Sequence, residues 1–583
     1  MYLSELKLWN FRKFGSGSVD LDLANPDIVI PFSKGLNVLI GENDSGKTAI
    51  IDAIKLVLDT HSSEWIRADI DDFYGNSTRL RIECRFDALS DDEAKNFTEW
   101  LGMDGEGDNA RPYLRVMLDA ARQDDRILPF DIRAGLDEDG YQLTAEARNY
   151  LKTAYLKPLR DAKSELMPRK GSRLSQILIG HEAFKNQDES HWLMVEFKKF
   201  QEAVENYFKE PKDGDNKGKL LKKKIEEYLE GFFGQKMSVN FLPVNKKLKE
   251  ILEILKLALE EENLGLGSHN LLFIAAELLN LERSNWNGLR LGLIEELEAH
   301  LHPQAQLKVI SYLQELTERE GSNIQLILTT HSPNLGSKVR LSNLIICCNG
   351  RIFPMGSSPK EYTKLDERDY KFLERFLDVT KANLFFAKGV ILVEGWAEEL
   401  ILPSLAKKLD CHLTTNGVSI VNVASTAFLR YSKIFQRTDD TGMDIPVSVV
   451  TDLDVHPDEE NIVEKRARKT KAQIKDEEIK QKYNGQKVQT FVSPHWTLEY
   501  CLASSEKLHP LFFESVREVH SRMNAGNELE EIKNKLVSRT LKKAEIAQIF
   551  AEKLEASVIS KTDLESDVCI KYLVDAIKYA TGN

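Results

Sequence analysis

No run of about 18 consecutive apolar residues occurs anywhere in this chain, so it offers no candidate for a membrane-spanning helix. Its first residues, MYLSELKLWNFRKF, lack the apolar core and small-residue cleavage site of a secretory signal, and the expectation is a cytoplasmic protein with no membrane partner. The six cysteines (Cys84, Cys347, Cys348, Cys411, Cys501, Cys569) include no C-x-x-C pair. Neither a zinc site nor a disulfide framework is indicated, and the thiols read as reduced and mostly buried. Internal repeats and low-complexity tracts are missing. So is any sustained heptad pattern, which excludes the long coiled-coil arm of a chromosome-scale ATPase. Positive charge is also short: the net charge is -13, which argues against holding DNA by bulk electrostatics but leaves room for a local basic surface beside acidic clusters.

What is present is an ordinary globular composition, 42% hydrophobic and 29% charged, over 583 residues. That length exceeds one hydrophobic core and predicts two large domains with room for a small third. LNVLIGENDSGKTAIIDAIKLVL runs from a buried strand through a glycine-bearing loop into an amphipathic helix, the signature of an α/β unit. Residues 79–87 and 113–118 read as further strands, completing a first lobe over 1–154. Residues 155–259 turn helical and charged, broken by the loop-forming EPKDGDNKGK, and read as an insertion: either an arm or dimerisation element, or a solvated elaboration. Residues 260–360 return to apolar strands ending in polar clusters. After a polar connection near 355–385, a second α/β domain is expected over 386–583.

Two constellations carry chemistry. Gly41, Glu42, Asn43, Asp44, Ser45, Gly46, Lys47 and Thr48 fit G-x-x-x-x-G-K-S/T between a strand and a helix. Its glycines let backbone N–H groups wrap phosphates, Lys47 is placed to reach the β and γ phosphates of ATP, and Thr48 to bind Mg²⁺. The apolar run Leu291 to Ile294 then delivers Glu295, placed to hold Mg²⁺ through water, and Glu296, placed to orient or deprotonate the attacking water. His331, in Thr329-Thr330-His331-Ser332-Pro333, follows another apolar run and stands where a side chain touches the γ phosphate. This set resembles the ABC ATPase head of recombination and chromosome-maintenance ATPases. The resemblance puts Leu297 to Leu301 in the D-loop position and Gly265 to His269 in a degenerate signature loop, and it implies at least a dimer when ATP is bound. Glu295 replaces the usual Asp, the signature departs from Leu-Ser-Gly-Gly-Gln, and no Q-loop glutamine stands out, so slow turnover or a switching role for ATP is expected.

In the second domain, Val390 to Val393 form a buried strand ending in Glu394-Gly395, with Glu398 and Glu399 at the start of a helix. Val447 to Val450 form another, followed by Asp452 and Asp454, which a period of two puts on one face. Carboxylates on neighbouring strand tips of a parallel sheet are hard oxygen donors for Mg²⁺ or Mn²⁺, ions that activate phosphodiesters.

Glu394 with Asp452-x-Asp454 resembles the Toprim domain, and an ABC head followed by Toprim is the layout of the OLD (overcoming lysogenisation defect) family nucleases, shared by the nuclease subunit of the Gabija anti-phage system. Further pieces are Glu298 to Pro303, Thr330 to Pro333, Val393 to Glu399 and Thr497 to Tyr500. The resemblance implies that Glu394, Glu398, Asp452, Asp454 and Glu499 ligate metal and that Lys543 stands near the scissile phosphate. Trp396 occupies a position where many relatives have Asp. Lys465, Arg466, Arg468, Lys469, Lys471 and Lys475 follow Asp454 and suit either DNA phosphates or a solvated helix, interspersed as they are with acids.

The expected activity is ATP-regulated, metal-dependent cleavage of duplex DNA by a homodimer or homotetramer in anti-phage defence, with a helicase or other defence-system protein as the candidate partner. An ATP-switched clamp without nuclease activity and a topoisomerase-like Toprim enzyme are the alternatives. A topoisomerase needs a nucleophilic tyrosine in a helical DNA-binding domain that is missing here, and clustered carboxylates without metal would repel one another.

Overall fold

A computed structural model describes residues 1–17, 21–61, 66–158, 166–184, 190–210, 215–243, 246–259, 265–282, 286–356, 361–424, 427–439, 441–464, 468–521 and 527–583. Three sheets organise the molecule. The first is antiparallel, with spatial order Ile28–Pro31, Tyr2–Trp9, Arg79–Asp87, Arg111–Gln123, Ile132–Ala134, Tyr141–Gln142. The second runs Ala154–Leu156, Leu291–Ile294, Gln325–Thr330, Leu36–Ile40, Leu344–Cys348, Arg351–Pro354 and is parallel except for its last strand. The third, Val418–Asn422, Gly389–Val393, Val447–Thr451, Val488–Val492, is parallel throughout.

The strands of the second and third sheets are near-continuous apolar runs because both faces of each sheet are covered. Leu36, Val38 and Ile40 face one core while Leu39 between them faces another, shared with the first sheet. In the third sheet Val390, Leu392, Val447 and Val449 point the same way as a set, whereas Ile391, Val393 and Val450 meet the C-terminal helices. The first set and Leu36, Val38 and Ile40 belong to one continuous cluster, which also includes Leu384 and Phe385. Nucleotide-loop sheet and acidic sheet are thus packed through a common apolar layer.

A buried arginine, in the loop that leads to the strand Val447–Thr451 of the third sheet, ties that loop to the second sheet by a hydrogen bond. Arg437 has no exposed side-chain surface. Its Nη1 donates to the carbonyl of Pro354, the last residue of the second sheet (2.6 Å), and its Nε and Nη2 donate to Asp439 (3.2 and 3.1 Å). The guanidinium lies between the rings of Phe353 and Tyr362, 5.7 and 5.6 Å from their centroids.

In the chain between the second sheet's strands Ala154–Leu156 and Leu291–Ile294 lies helical structure. Trp192–Lys209 and Lys217–Phe233 pack against each other and leave Trp192, Phe200, Tyr228, Phe232 and Phe233 exposed. Ala154–Leu156, a stretch read from sequence partly as the start of the helical insertion, is instead a strand paired in parallel with Leu291–Ile294. Three residues are too few to show strand periodicity, and pairing to a distant strand decides their state.

Arg437→Met leaves Asp439 and the Pro354 carbonyl without their buried donor. The expected loss is about 3 kcal/mol, read as a lower urea midpoint.

Candidate functional site

The loop Gly41 to Gly46 links the buried strand Leu36–Ile40 to the helix Lys47–Leu58. Its backbone demands glycine at both ends: Gly41 has φ 154 with the Cys347 carbonyl where a Cβ would lie, and Gly46 has φ 107 with Phe14 and Lys13 against it. Lys47 Nζ donates to the carbonyls of Gly41 (2.8 Å) and Glu42 (2.6 Å) and to Ser45 Oγ (3.2 Å). Burial lowers its pKa, against the pull of Glu298 and Glu296.

Glu295 is 2% exposed, accepts a hydrogen bond from Tyr155 (2.7 Å) and another from Thr48, and burial raises its pKa. The next residue, Glu296, sits at φ 45, where the chain turns out of the strand, and its amide donates to Thr329 Oγ1 (3.0 Å). His331 is half exposed; its Nδ1 lies 3.2 Å from Glu298 Oε1, which also accepts from the His331 amide (2.8 Å), so Glu298 sets the ring's orientation. The helix Leu266–Leu281 starts at the signature-loop residues, and Asn270 Nδ2 donates to the carbonyl of Ala299 (3.2 Å), packing that segment on the D-loop residues. The structure therefore brings Gly41 to Thr48, Glu295, Glu296 and His331 to one sheet edge. Tyr155, Glu298 as the orienting partner of His331, and Lys13 over the loop went unassigned in the sequence. Only the break of apolar alternation at Asn10, which with Arg12 adopts positive φ, marks the bend that carries Lys13 there.

The second site is acidic. Glu394 leaves the tip of Gly389–Val393, and Glu398 lies in the first turn of Trp396–Lys408. Asp452 follows Val447–Thr451 and accepts from the Leu498 amide (2.8 Å), while Glu499, in the first turn of Leu498–Ser504, is 3% exposed. Asp454 does not continue the strand alternation. Its φ is 56, because the strand ends at Thr451 and the chain turns so that Leu453 can be buried and the Asp454 amide can donate to the Trp496 carbonyl (3.0 Å). Asp454 nevertheless stays close enough to Glu394 to raise its pKa.

The charges of these groups act on one another. Burial, then Glu499 and Glu398, holds Asp452 well above the ordinary carboxylate range. Burial, then Glu499, pushes Glu398 up to about 7. Lys543 Nζ lies 2.9 Å from Glu499. Burial opposes its charge, but Glu499, Asp452 and Glu398 together hold its pKa above the ordinary value. One oxygen of Glu394 is buried with no hydrogen-bond partner. A carboxylate oxygen in that position, among other hard donors, suits a divalent cation. The donors match in kind, although among the described residues no three His, Cys, Asp or Glu side chains converge on one point as they stand.

Of the basic residues after Asp454, Lys469 pairs with Glu477 and Lys471 with Glu459 (3.0 Å), as on a solvated helix. Lys475 acts on the charge of Asp454. Lys465 and Arg466 lie outside the described residues.

Since Glu398 moves from 4.5 in an ordinary setting to about 7, the folded chain keeps a proton that the unfolded chain has released between those values. Its contribution to stability is complete below pH 4.5 and lost as pH rises through 7. In EDTA, the Tm of the wild type is expected to fall by roughly 3 °C more than that of Glu398→Gln between pH 5 and 8, with Mg²⁺ recovering the loss in the wild type only. Parallel Tm profiles for the two proteins would count against the shift.

No helix among the described residues is long and apolar enough to cross a membrane. A family model described as AAA ATPase domain matches residues 1–335, and one described as overcoming lysogenization defect protein-like, TOPRIM domain, matches residues 385–454. The chain is 22% identical over 559 residues to Endonuclease GajA of Bacillus cereus (strain HuB5-5), spanning 79% of this chain and 78% of that one. It is 26% identical over 479 residues to OLD nuclease of Thermus scotoductus, spanning 78% and 84%. The solved C-terminal region of the Xanthomonas campestris pv. campestris OLD protein covers 34% of this chain and 95% of that one, at 24% identity and a TM-score of 0.24. An ATPase domain and a Toprim domain together imply nucleotide and divalent-metal binding. The chain belongs to the AAA ATPase domain family and carries an OLD-like Toprim domain after it.

Proposed function

We propose that this protein is a DNA endonuclease whose cutting, dependent on Mg²⁺ or Mn²⁺, is controlled by ATP. The observation that carries the reading is the acidic site: five carboxylates on the tips and adjoining turns of one parallel sheet, all within reach of the charge of Lys543. Two relatives named as nucleases, each matched over more than three quarters of its length, support it. A divalent cation bound there would supply Lewis-acid polarisation of a phosphodiester and lower the pKa of a water. Glu394, Glu398, Asp452, Asp454 and Glu499 are the residues that would hold it. The Leu498 amide fixes the Asp452 carboxylate, and Lys543, on a four-carbon stem, offers positive charge to the scissile phosphate.

At the other site Lys47 would exchange loop carbonyls for phosphate oxygens, Thr48 and Glu295 would hold the nucleotide's Mg²⁺, and Glu296 and His331 would face the γ phosphate. Support for control by ATP comes from the segment Lys381–Phe386, which packs against the short helix after His331. Phe386 and Asn383 line a 450 Å³ cleft with His331, Glu42 and Asn43. Two residues after Phe386, Lys388 approaches Glu42 (3.7 Å), and the strand that ends at Glu394 begins at the next residue. The exposed aromatic residues of Trp192–Lys209 and Lys217–Phe233 support self-association, as a homodimer or homotetramer. An anti-phage role and a helicase-type partner rest on the OLD and Gabija resemblance.

Supercoiled and linear duplex DNA, incubated with Mg²⁺ or Mn²⁺ and with or without ATP, tests the reading. Cutting is expected from the wild type, to be absent from Asp452→Ala, and to respond differently to ATP in Lys47→Ala. Phe386→Ala is expected to cut while losing most of its response to ATP. A wild type that cuts nothing with either metal, or an Asp452→Ala protein that cuts normally, would sink it.

A further inference from the structure

We propose that Trp396 is a base-stacking residue of the acidic site, and that the preferred substrate is DNA with an unpaired, unstacked base beside the scissile phosphate. The inference rests on the nuclease reading above and adds to it a substrate class. Trp396 is the first residue of the helix Trp396–Lys408, two positions after Glu394 and two before Glu398. Glu398 is 8% exposed, but Trp396 keeps 66% of its surface in solvent. The helix does not use it for packing: its buried face is Ala397, Ile401, Leu402 and Leu405. Side chains on a helix lean toward its N-terminus, so a residue in the first position overhangs the sheet edge from which Glu394 and Asp452 emerge. The structure beneath is firm, because Asn422, at the end of the neighbouring strand, donates to Glu399 in the same helical turn (2.9 Å).

Aromatic rings also lie beside Asp454. The Trp496 carbonyl accepts from the Asp454 amide (3.0 Å), and the Trp496 ring lies 4.8 Å from His456 and 6.2 Å from Tyr500. An exposed indole thus follows Glu394 in the chain, and an aromatic cluster is tied to Asp454 through its backbone. An indole carries no charge for a phosphate, and the flat apolar part of a nucleotide is its base. In a paired duplex, base faces are covered by their neighbours, so only an unstacked base presents one to Trp396.

The test uses the full chain with three DNAs: a paired duplex, the same duplex carrying one unpaired 2-aminopurine, and a single strand. Binding is followed with Ca²⁺ and cutting with Mn²⁺, in wild type, Trp396→Ala and Trp396→Phe. The 2-aminopurine emission is expected to be quenched by wild type and Trp396→Phe but not by Trp396→Ala. The KM of Trp396→Ala for the bulged duplex is expected to rise roughly tenfold, with kcat changed less than about twofold and most of the loss recovered in Trp396→Phe. Equal quenching and equal KM in all three proteins overturns the inference, and leaves the nuclease reading standing if Asp452→Ala abolishes cutting. A wild type that neither binds nor cuts any of the DNAs overturns both. A lower particle mass for Trp396→Ala in light scattering marks the residue as a protein contact and overturns the inference alone.

Discussion

One apolar layer sets the terms for the rest of the molecule: the core shared by the nucleotide-loop sheet and the acidic sheet. Leu36, Val38 and Ile40 supply one side, Val390, Leu392, Val447 and Val449 the other, and Leu384 and Phe385 belong to the same core. Dense packing of this kind has little compressibility, so a displacement on one side is passed on rather than absorbed. Arg437 adds direction to that non-directional contact, since its side chain donates to the Pro354 carbonyl of one sheet while its backbone exchanges hydrogen bonds with Gln486, two residues before the strand Val488–Val492 of the other. The loop Gly41 to Gly46 and the strand that leads to Glu394 are mechanically close for this reason, with Phe386 and Lys388 between them.

Charge is the second constraint. Five carboxylates cannot share a partly buried site as bare anions, because burial and mutual repulsion both favour protonation. The chain answers with the ammonium of Lys543, with the Leu498 amide on Asp452, and with a proton on Glu398 up to about pH 7. A divalent cation answers the same need more completely, and it also does chemistry. At the nucleotide loop the opposite charge of Lys47 is held by carbonyls, and the neighbouring carboxylate of Glu295 by the hydroxyls of Tyr155 and Thr48.

The sequence by itself determined the chemistry-bearing residues that are contiguous or nearly so. The loop Gly41 to Thr48, Glu295 and Glu296, His331, Glu394 and Glu398, and Asp452 and Asp454 were each legible, because a buried parallel strand is an apolar run and its tip is where the run ends. Glu499 and Lys543 were reached through family resemblance, since neither follows such a run. Only the tertiary structure decided what depends on distant pairing. It made Ala154–Leu156 a strand and brought Tyr155 to Glu295, turned Asp454 out of the alternation to bury Leu453, and set Glu298 behind His331. It also put Arg437 between two sheets and left Trp396 exposed at the rim of the acidic site. The physical reason is common to all of these: local pattern records which residues want burial or a turn, but a partner dozens of residues away is chosen by how the layers pack.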